Sequence, residues 1–193
     1  MSDRPRIVWD LDDTLNPLMR AWLAWASREA GGKGFPEYEC LTQNPPHHLC
    51  GIPHGEYLDS LDRFRISAEG ARMPVEPQAL AWFEAHGHRF EHHVLTARPA
   101  STVHSAADWV FRNLGTWIRH FHFVPAARPG ADLPDAGAAK STVIEGIGRC
   151  AFFIDDTEGN FAGTEAWVKR CLLVPQPWNH QTFSLAEVLQ QIC

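Results

Sequence analysis

Acidic residues that could do chemistry occur in two short clusters, and each cluster directly follows a run of apolar residues. The first is Asp10-Leu11-Asp12-Asp13 after the segment 6–9, and the second is Asp155-Asp156 after the segment 151–154. A carboxylate at the point where a strand gives way to a loop can bind a hard cation such as Mg²⁺ or attack phosphorus as a nucleophile. Acids after a strand also form turns and cap helices, so the residue types alone leave both interpretations open.

Apolar runs and segments of helical spacing alternate along most of the chain. Runs that predict buried parallel strands lie at 6–10, 92–96, 121–125, 151–155 and 171–174. Helical spacing is found in the segments 17–30, 55–71, 76–86, 101–113, 140–148, 160–168 and 184–192. This order predicts an α/β fold with a doubly wound parallel sheet, in which ligands bind beyond the carboxyl ends of the strands. We therefore expect Asp10, Thr96 and the pair Asp155-Asp156 to converge at one edge of the sheet.

The chain between the first two predicted strands is longer than a single crossover helix requires. It holds strongly helical segments and an irregular stretch rich in proline, glycine and histidine. This excess indicates an inserted helical cap over residues 16–90, with a catalytic core formed by residues 1–15 and 91–193. Such a cap can close over a site to exclude water and select the leaving group.

Four segments in a fixed order resemble the motifs of the haloacid dehalogenase superfamily of phosphatases. The sequence DLDDTL at 10–15 is similar to the first motif, Leu95-Thr96 to the second, Lys140 to the third and FIDDTEGN at 153–160 to the fourth. The first and last motifs are specific. A single threonine is also a good strand residue, and a lysine at a helix start is commonly solvated. The resemblance implies a Rossmann-like core and an enzyme that hydrolyses phosphomonoesters.

The resemblance also implies catalytic roles. Asp10 would attack phosphorus and form an aspartyl-phosphate, while Asp12 would act as general acid and then general base. Thr96 and Lys140 would complete the catalytic set by binding a phosphoryl oxygen and offsetting negative charge. Substrate-binding residues would be Asp13, Thr96, Ala97, Arg98 and Lys140.

The expected cofactor is Mg²⁺. Its ligands would come from Asp10, Asp12, Asp155 and Asp156, with Asp12 contributing its backbone carbonyl, and water and phosphate completing an octahedron. Alignment with the family pattern makes Asp156 the usual direct ligand and Asp155 a supporting residue that could pair with Lys140. Asn160 could orient the metal ligands rather than bind the ion.

The segment LTARP at 95–99, together with the double aspartate, resembles the 5′-nucleotidase and deoxyribonucleotidase branch of this superfamily. Members of that branch stack a base in an aromatic cap pocket, and the candidates here are Phe35, Tyr38, Tyr57 and Phe64. Aromatic residues on a cap helix also simply pack against one another. A nucleoside monophosphate is thus one expected substrate, and a sugar phosphate or another phosphorylated metabolite is the alternative. A phosphate-binding regulatory protein without turnover is a further alternative.

Composition narrows the range of partners. The formal net charge of −6 disfavours a nucleic-acid polymer and suits a small phosphorylated metabolite. No run of about eighteen apolar residues is present, so we expect a cytoplasmic protein with no membrane partner. Five cysteines without a Cys-x-x-Cys pair indicate a reducing compartment, although Cys40 and Cys50 could form a bridge. The eleven histidines show no zinc-finger spacing, and we expect most to lie at the surface or in loops.

Overall fold

Five parallel strands form the centre of the molecule. The computed structural model describes residues 4–31, 34–128 and 138–192. The strands are β1 (Arg6–Trp9), β2 (Glu91–Arg98), β3 (Ile118–Pro125), β4 (Cys150–Asp155) and β5 (Val168–Leu173), in the spatial order β3-β2-β1-β4-β5. β1 pairs in parallel with both β2 and β4 and is therefore the central strand. The predicted α/β fold with a doubly wound parallel sheet is confirmed.

Seven α-helices surround this sheet or form the insertion in the described part of the chain. They are α1 (Leu18–Glu29), α2 (His54–Arg65), α3 (Ala68–Ala71), α4 (Pro77–His86), α5 (Ala100–Leu114), α6 (Lys140–Ile147) and α7 (Leu185–Gln190). Residues of α4, α5 and α7 pack with Ile7 and Trp9 on one face of the sheet. Residues of α6 pack with Val8 on the other face. Over the described ranges, no helix combines the length and apolar character needed to cross a membrane.

The packing around Trp9 shows how the central strand is held in place. The Trp9 ring lies 5.4 Å from the ring of Trp82 and 5.0 Å from that of Phe83, measured between centroids. Its indole N–H donates to Nδ1 of the buried His92 at 3.0 Å, and His92 Nε2 lies 2.8 Å from the Gly87 carbonyl oxygen. Burial of each large side chain stabilises the fold by about 1.5–3 kcal/mol. Because the buried polar atoms of Trp9 and His92 are paired, they avoid the cost of burial without a hydrogen-bond partner.

A second hydrophobic cluster lies in the insertion. It joins α1 and α2 through Leu18, Trp22, Leu61 and Phe64, separately from the clusters on the sheet. Helix α4, in contrast, contributes Ala79, Trp82 and Phe83 to the cluster on the sheet. We therefore propose that the inserted segment forms a cap, and that this cap ends near the start of α4 rather than at residue 90. Cys40 and Cys50 are free thiols, so the possible bridge between them does not form.

Several predicted elements differ from the observed ones. The predicted helix at 160–168 was wrong: a short 3-10 helix covers Glu158–Phe161, and Gly163 takes a positive φ of 78° that interrupts a right-handed helix. The predicted helix at 55–71 is divided, because the Ser67 hydroxyl accepts the Gly70 N–H and starts α3 as a new helix. Strand β3 begins at Ile118, three residues before the predicted start.

Candidate active site

The two acidic clusters meet because their strands are neighbours. The Asp10 backbone N–H donates to the carbonyl of Ile154 at 2.8 Å, which continues the pairing of β1 with β4 beyond the strand. Asp155 ends β4 and is fully buried, and its carbonyl accepts the N–H of Val174 at 2.9 Å. The carboxyl ends of the strands therefore bring Asp10, Asp155 and Asp156 together at one edge, as parallel-sheet geometry predicts.

Lys140, the first residue of α6, connects the two clusters. Its buried ammonium donates to Asp10 Oδ1 at 2.5 Å and to Asp155 Oδ2 at 2.7 Å. Burial alone would lower the pKa of Lys140, but the charges of Asp10 and Asp155 outweigh it and raise the pKa well above its ordinary value. Lys140 is therefore a permanent cation that aligns the Asp10 carboxylate.

Asp155 is also held by its own loop. The Thr157 N–H donates to Asp155 Oδ1 at 2.9 Å, and the Asn160 side-chain amide donates to both carboxylate oxygens at 2.9 and 3.0 Å. With Lys140 as a further donor, the Asp155 carboxylate is surrounded by hydrogen-bond donors. The Asp156 carboxylate, although buried, has no hydrogen-bond partner in the described part of the chain.

Negative charge accumulates at this edge of the sheet. Carboxylate oxygens of Asp10, Asp155 and Asp156 lie within 4.8 Å of one another. Burial raises the pKa of Asp10 to about 7, and Asp155 and Asp12 add to this while Lys140 opposes it. Burial, together with Asp10 and Asp13, also raises the pKa of Asp156 well above its ordinary value. One lysine does not offset this charge, and carboxylate oxygens are the donors that Mg²⁺ prefers.

Asp12 is directed away from this cluster, toward two arginines. Arg98 donates from both Nε (2.9 Å) and Nη2 to the Asp12 carboxylate, and Arg65 of α2 donates to Asp12 Oδ2 at 3.0 Å. Burial alone would raise the pKa of Asp12, but Arg98 and Arg65 outweigh it and lower the pKa to about 2. In this closed arrangement Asp12 is a carboxylate.

The Asp12 contact belongs to a chain of ion pairs between core and cap. Arg65 also donates to Asp62 Oδ1 at 3.1 Å. Asp62 in turn binds Arg128 at 2.7 and 2.9 Å. The resulting chain is Arg98–Asp12–Arg65–Asp62–Arg128, which we call the ionic chain. Arg65 and Asp62, both on α2, connect the cap to Asp12 and Arg128 of the core.

Asp13 has a structural role that the sequence left open. Its carboxylate accepts the Met19 N–H at the start of α1 at 2.8 Å, and its backbone φ is 58°. Aspartate tolerates this left-handed conformation better than most residues do. Asp13 therefore directs the chain from β1 into the cap, and it also lines the cavity described next.

A small cavity separates the core carboxylates from the cap. It has a volume of about 140 Å³. Its core lining includes Asp10, Thr96, Ala97, Lys140 and Asp156, and its cap lining includes Met19, Asn44, Tyr57, Leu61 and Arg65. One water occupies about 30 Å³ in the liquid, so this space suits a phosphoryl group and little more. Pockets for complete ligands are larger, about 300–1,000 Å³.

The four predicted base-stacking residues differ in whether they border the cavity. Of the four, only Tyr57 borders the cavity defined by the described residues. Phe35 packs on Trp22, and Phe64 is buried in the cap cluster. Tyr38 donates to the Gln176 side chain. Two of the four are therefore packing residues of the cap, which was the alternative interpretation.

Sequence reasoning missed Arg65. The signal was nevertheless present, because Tyr57, Leu61 and Arg65 are spaced by four residues and share one face of α2. An arginine that continues an apolar stripe lies on the buried side of its helix and needs an anionic partner. The sequence does not identify that partner, since Asp12 is 53 residues away.

Comparisons with known proteins relate the chain to others through its fold. No family model matches, and no curated protein matches. A protein from Thermotoga maritima, provisionally assigned as a β-phosphoglucomutase, has a TM-score of 0.61 at 15% identity, over 97% of this chain and 98% of its own. A haloacid dehalogenase superfamily hydrolase of subfamily IA from Geobacter sulfurreducens has a TM-score of 0.55 at 17% identity, over 100% of both chains. Protein Tyrosine Kinase A from Mycobacterium tuberculosis has a TM-score of 0.61 at 14% identity, over 94% of this chain and 89% of its own.

These neighbours show that the chain has the fold of the haloacid dehalogenase superfamily, and the resemblance drawn from its motifs is confirmed at that level. The same fold includes a protein named as a kinase, so the activity has to be argued from the site itself.

Proposed function

We propose that this protein is a Mg²⁺-dependent phosphomonoester hydrolase that acts through an aspartyl-phosphate on Asp10. The observation that carries the proposal is the buried Asp10 carboxylate, held by Lys140 and facing a cavity of phosphoryl size. A carboxylate fixed in this way is oriented for attack on phosphorus.

The donor set fits Mg²⁺. Asp10 and Asp156 would hold the ion together with the backbone carbonyl of Asp12, and Asp155 would position Lys140 and the loop that contains Asn160. When bound, the ion would offset the charge of phosphate and carboxylates and make the phosphorus more electrophilic. The free carboxylate of Asp156 favours this residue over Asp155 as the direct ligand.

The reaction has two steps. In the first, an Asp10 oxygen forms a bond to phosphorus, the bond from phosphorus to the leaving oxygen breaks, and that oxygen takes a proton. In the second, water loses a proton and attacks phosphorus, which releases phosphate and restores Asp10. Thr96 and Lys140 contact the transferred group in both steps.

Asp12 can serve both proton transfers only if its partners change. As an anion bound to Arg65 and Arg98, it is ready to accept a proton from water, but it cannot donate one. We propose that a phosphate oxygen takes the Arg65 guanidinium from Asp12 when substrate binds. The pKa of Asp12 then rises, and the carboxyl can carry a proton to the leaving oxygen.

The cavity favours a compact substrate. Only the phosphoryl group fits inside, so the rest of the substrate lies under the cap or requires the cap to open. A sugar phosphate agrees with the neighbour assigned as a β-phosphoglucomutase. A nucleoside monophosphate is the second candidate, with Tyr57 as its single aromatic contact.

The test is phosphate release by the purified chain from a panel of sugar phosphates and nucleoside monophosphates, with Mg²⁺ or with EDTA. We expect Mg²⁺-dependent release and a turnover loss of at least about a thousandfold in Asp10→Asn, because an amide is a poor nucleophile. Asp59→Asn, at an exposed position of α2, is the matched control and should retain full activity. Wild-type activity in Asp10→Asn, or full activity in EDTA, would contradict the proposal.

A further inference from the structure

Three histidines and one glutamate lie together on neighbouring strands, away from the aspartates. Glu91 and His93 alternate on β2, and His120 and His122 alternate on β3. The parallel pairing places His93 opposite His120, so all four side chains share the face of the sheet that α6 covers. His93 is buried and is therefore an exception to the expectation that most histidines lie at the surface.

The distances between donor atoms are those of a metal site. His93 Nε2 lies 3.0 Å from Glu91 Oε1, and His120 Nε2 lies 3.9 Å from the same oxygen. Ligand atoms of all three residues lie within 4.8 Å of one another. Three ligands of a tetrahedral zinc ion, each about 2.0–2.2 Å from the metal, are roughly 3.4 Å apart. Small rotations of His120, whose side chain is half exposed, would bring the set to this spacing.

A further contact would orient the central ligand. His93 Nδ1 lies 3.0 Å from His122 Nε2, and their rings are stacked at an interplanar angle of 13°. With Nε2 of His93 on a metal, its Nδ1–H can donate to the neutral His122. Histidine ligands of metals commonly donate their second N–H to a neighbouring acceptor, which fixes the tautomer and the ring orientation.

We propose that Glu91, His93 and His120 bind a divalent transition-metal ion such as Zn²⁺, and that His122 is a positioning residue for His93. Imidazole donors select Zn²⁺, Ni²⁺ or Cu²⁺ over Mg²⁺, which requires mainly oxygen ligands. The site is therefore chemically distinct from the aspartate cluster. His93 precedes Thr96 by three residues on an extended strand, so the two sites are separated by roughly 10 Å along β2.

The surroundings suggest what the ion does. Three protein ligands leave a fourth position open, and a cavity of about 500 Å³ bordered by Glu91, His93 and His122 adjoins the site. The ion would also cross-link β2 to β3, the strand at the edge of the sheet. Arg6 opposes binding, because its Nε lies 3.3 Å from Glu91 Oε1 and competes for that oxygen.

The experiment is a titration of the metal-free, full-length chain with Zn²⁺, in excess Mg²⁺ so that the carboxylate site is not available. Calorimetry gives stoichiometry and affinity, and thermal melting gives an independent readout. We expect one Zn²⁺ per chain and a rise in Tm. His120→Gln should weaken binding at least about tenfold and remove the rise, and His122→Gln should weaken it by a smaller factor. His120 is half exposed, so its variant should fold normally.

Two control variants make the result specific. His48→Gln removes a histidine from the cap, where the ring centroids of His47 and His48 are 4.0 Å apart. This variant should bind Zn²⁺ like wild type. Asp156→Asn should also retain Zn²⁺ binding, which separates this proposal from the proposed activity. No Zn²⁺ binding by wild type, equal binding by His120→Gln, or loss in His48→Gln would overturn the proposal. Unchanged affinity in His122→Gln would overturn the role of that residue.

Discussion

Replacement of Arg65 by methionine tests the ionic chain directly. The change removes the guanidinium that joins Asp12 of the core to Asp62 of the cap and retains an apolar stem of similar length. Each carboxylate retains one cationic partner, because Asp12 still binds Arg98 and Asp62 still binds Arg128. The variant should therefore fold, and it isolates the contribution of one cap residue.

The magnitude follows from the contacts that are lost. Loss of one partner from a buried ion pair costs about 3–5 kcal/mol when the other charge is left uncompensated. Since both carboxylates retain an arginine, we expect a loss of unfolding free energy of about 1.5–3 kcal/mol, in the range of a hydrogen bond to a charged group. If substrate phosphate takes over Arg65, a similar energy is lost in catalysis, so kcat/KM should fall about 10- to 150-fold.

The stability that the Asp12 ion pairs contribute depends on pH in a definite direction. The pKa of Asp12 is lowered to about 2 in the folded protein, so its ion pairs stabilise the fold above the ordinary value of 3.8. This contribution is lost as pH falls through the folded-state pKa. The stability difference between wild type and Arg65→Met should thus be full at neutral pH and shrink below about pH 4.

Denaturant unfolding and steady-state phosphate release measure the two effects. Arg63→Met is the matched control, because Arg63 is exposed and lies two residues away on α2. It should change stability and kcat/KM only slightly. A wild-type kcat/KM in Arg65→Met would refute the transfer of Arg65 to phosphate, and unchanged stability would refute the ionic chain as a link between cap and core.

Further predictions concern the metal and the core. Because burial raises the pKa of Asp10 to about 7, Mg²⁺ competes with a proton below that pH, so the rise in Tm caused by Mg²⁺ should be larger at about pH 8 than at about pH 6. A pH-independent rise would contradict this. Asp156→Asn should lose the Mg²⁺-dependent rise, whereas Glu158→Gln, an exposed neighbour, should keep it. Phe83→Ala should lower the unfolding free energy by about 3–5 kcal/mol if α4 belongs to the core, since Phe83 is fully buried against the sheet, and a loss below about 1 kcal/mol would refute that assignment.

Much of the fold could be predicted from local pattern. The apolar runs that end in Asp10 and Asp155 predicted neighbouring strand ends, because buried parallel strands and their loops have a clear signature. The helix expected at 160–168 failed because Gly163 takes a left-handed conformation and Trp167 leads directly into β5. Apolar residues at helical spacing do not reveal such a backbone requirement.

Side-chain contacts of the site that join cap and core could not be predicted from the sequence. Lys140 was chosen through the family motif, but its two partners depend on how α6 packs on the sheet. The pairing of Asp12 with Arg65 and Arg98 depends on the docking of α2, which no local pattern determines. The histidine group was missed because its members become neighbours only through the register of β2 and β3.

The central position of β1 determines how rarely the part of the site that carries Asp10 opens to solvent. Ile7, Val8 and Trp9 are almost fully buried, and their strand is hydrogen-bonded on both sides. Amides in such a strand exchange with solvent mainly when the whole domain unfolds, whereas cap helices open in smaller local events. We therefore expect deuterium uptake at β1 to be among the slowest in the chain and uptake at α2 to be faster. Asp10 would then stay in place while α2, which carries Arg65 on the other side of the pocket, opens in local events.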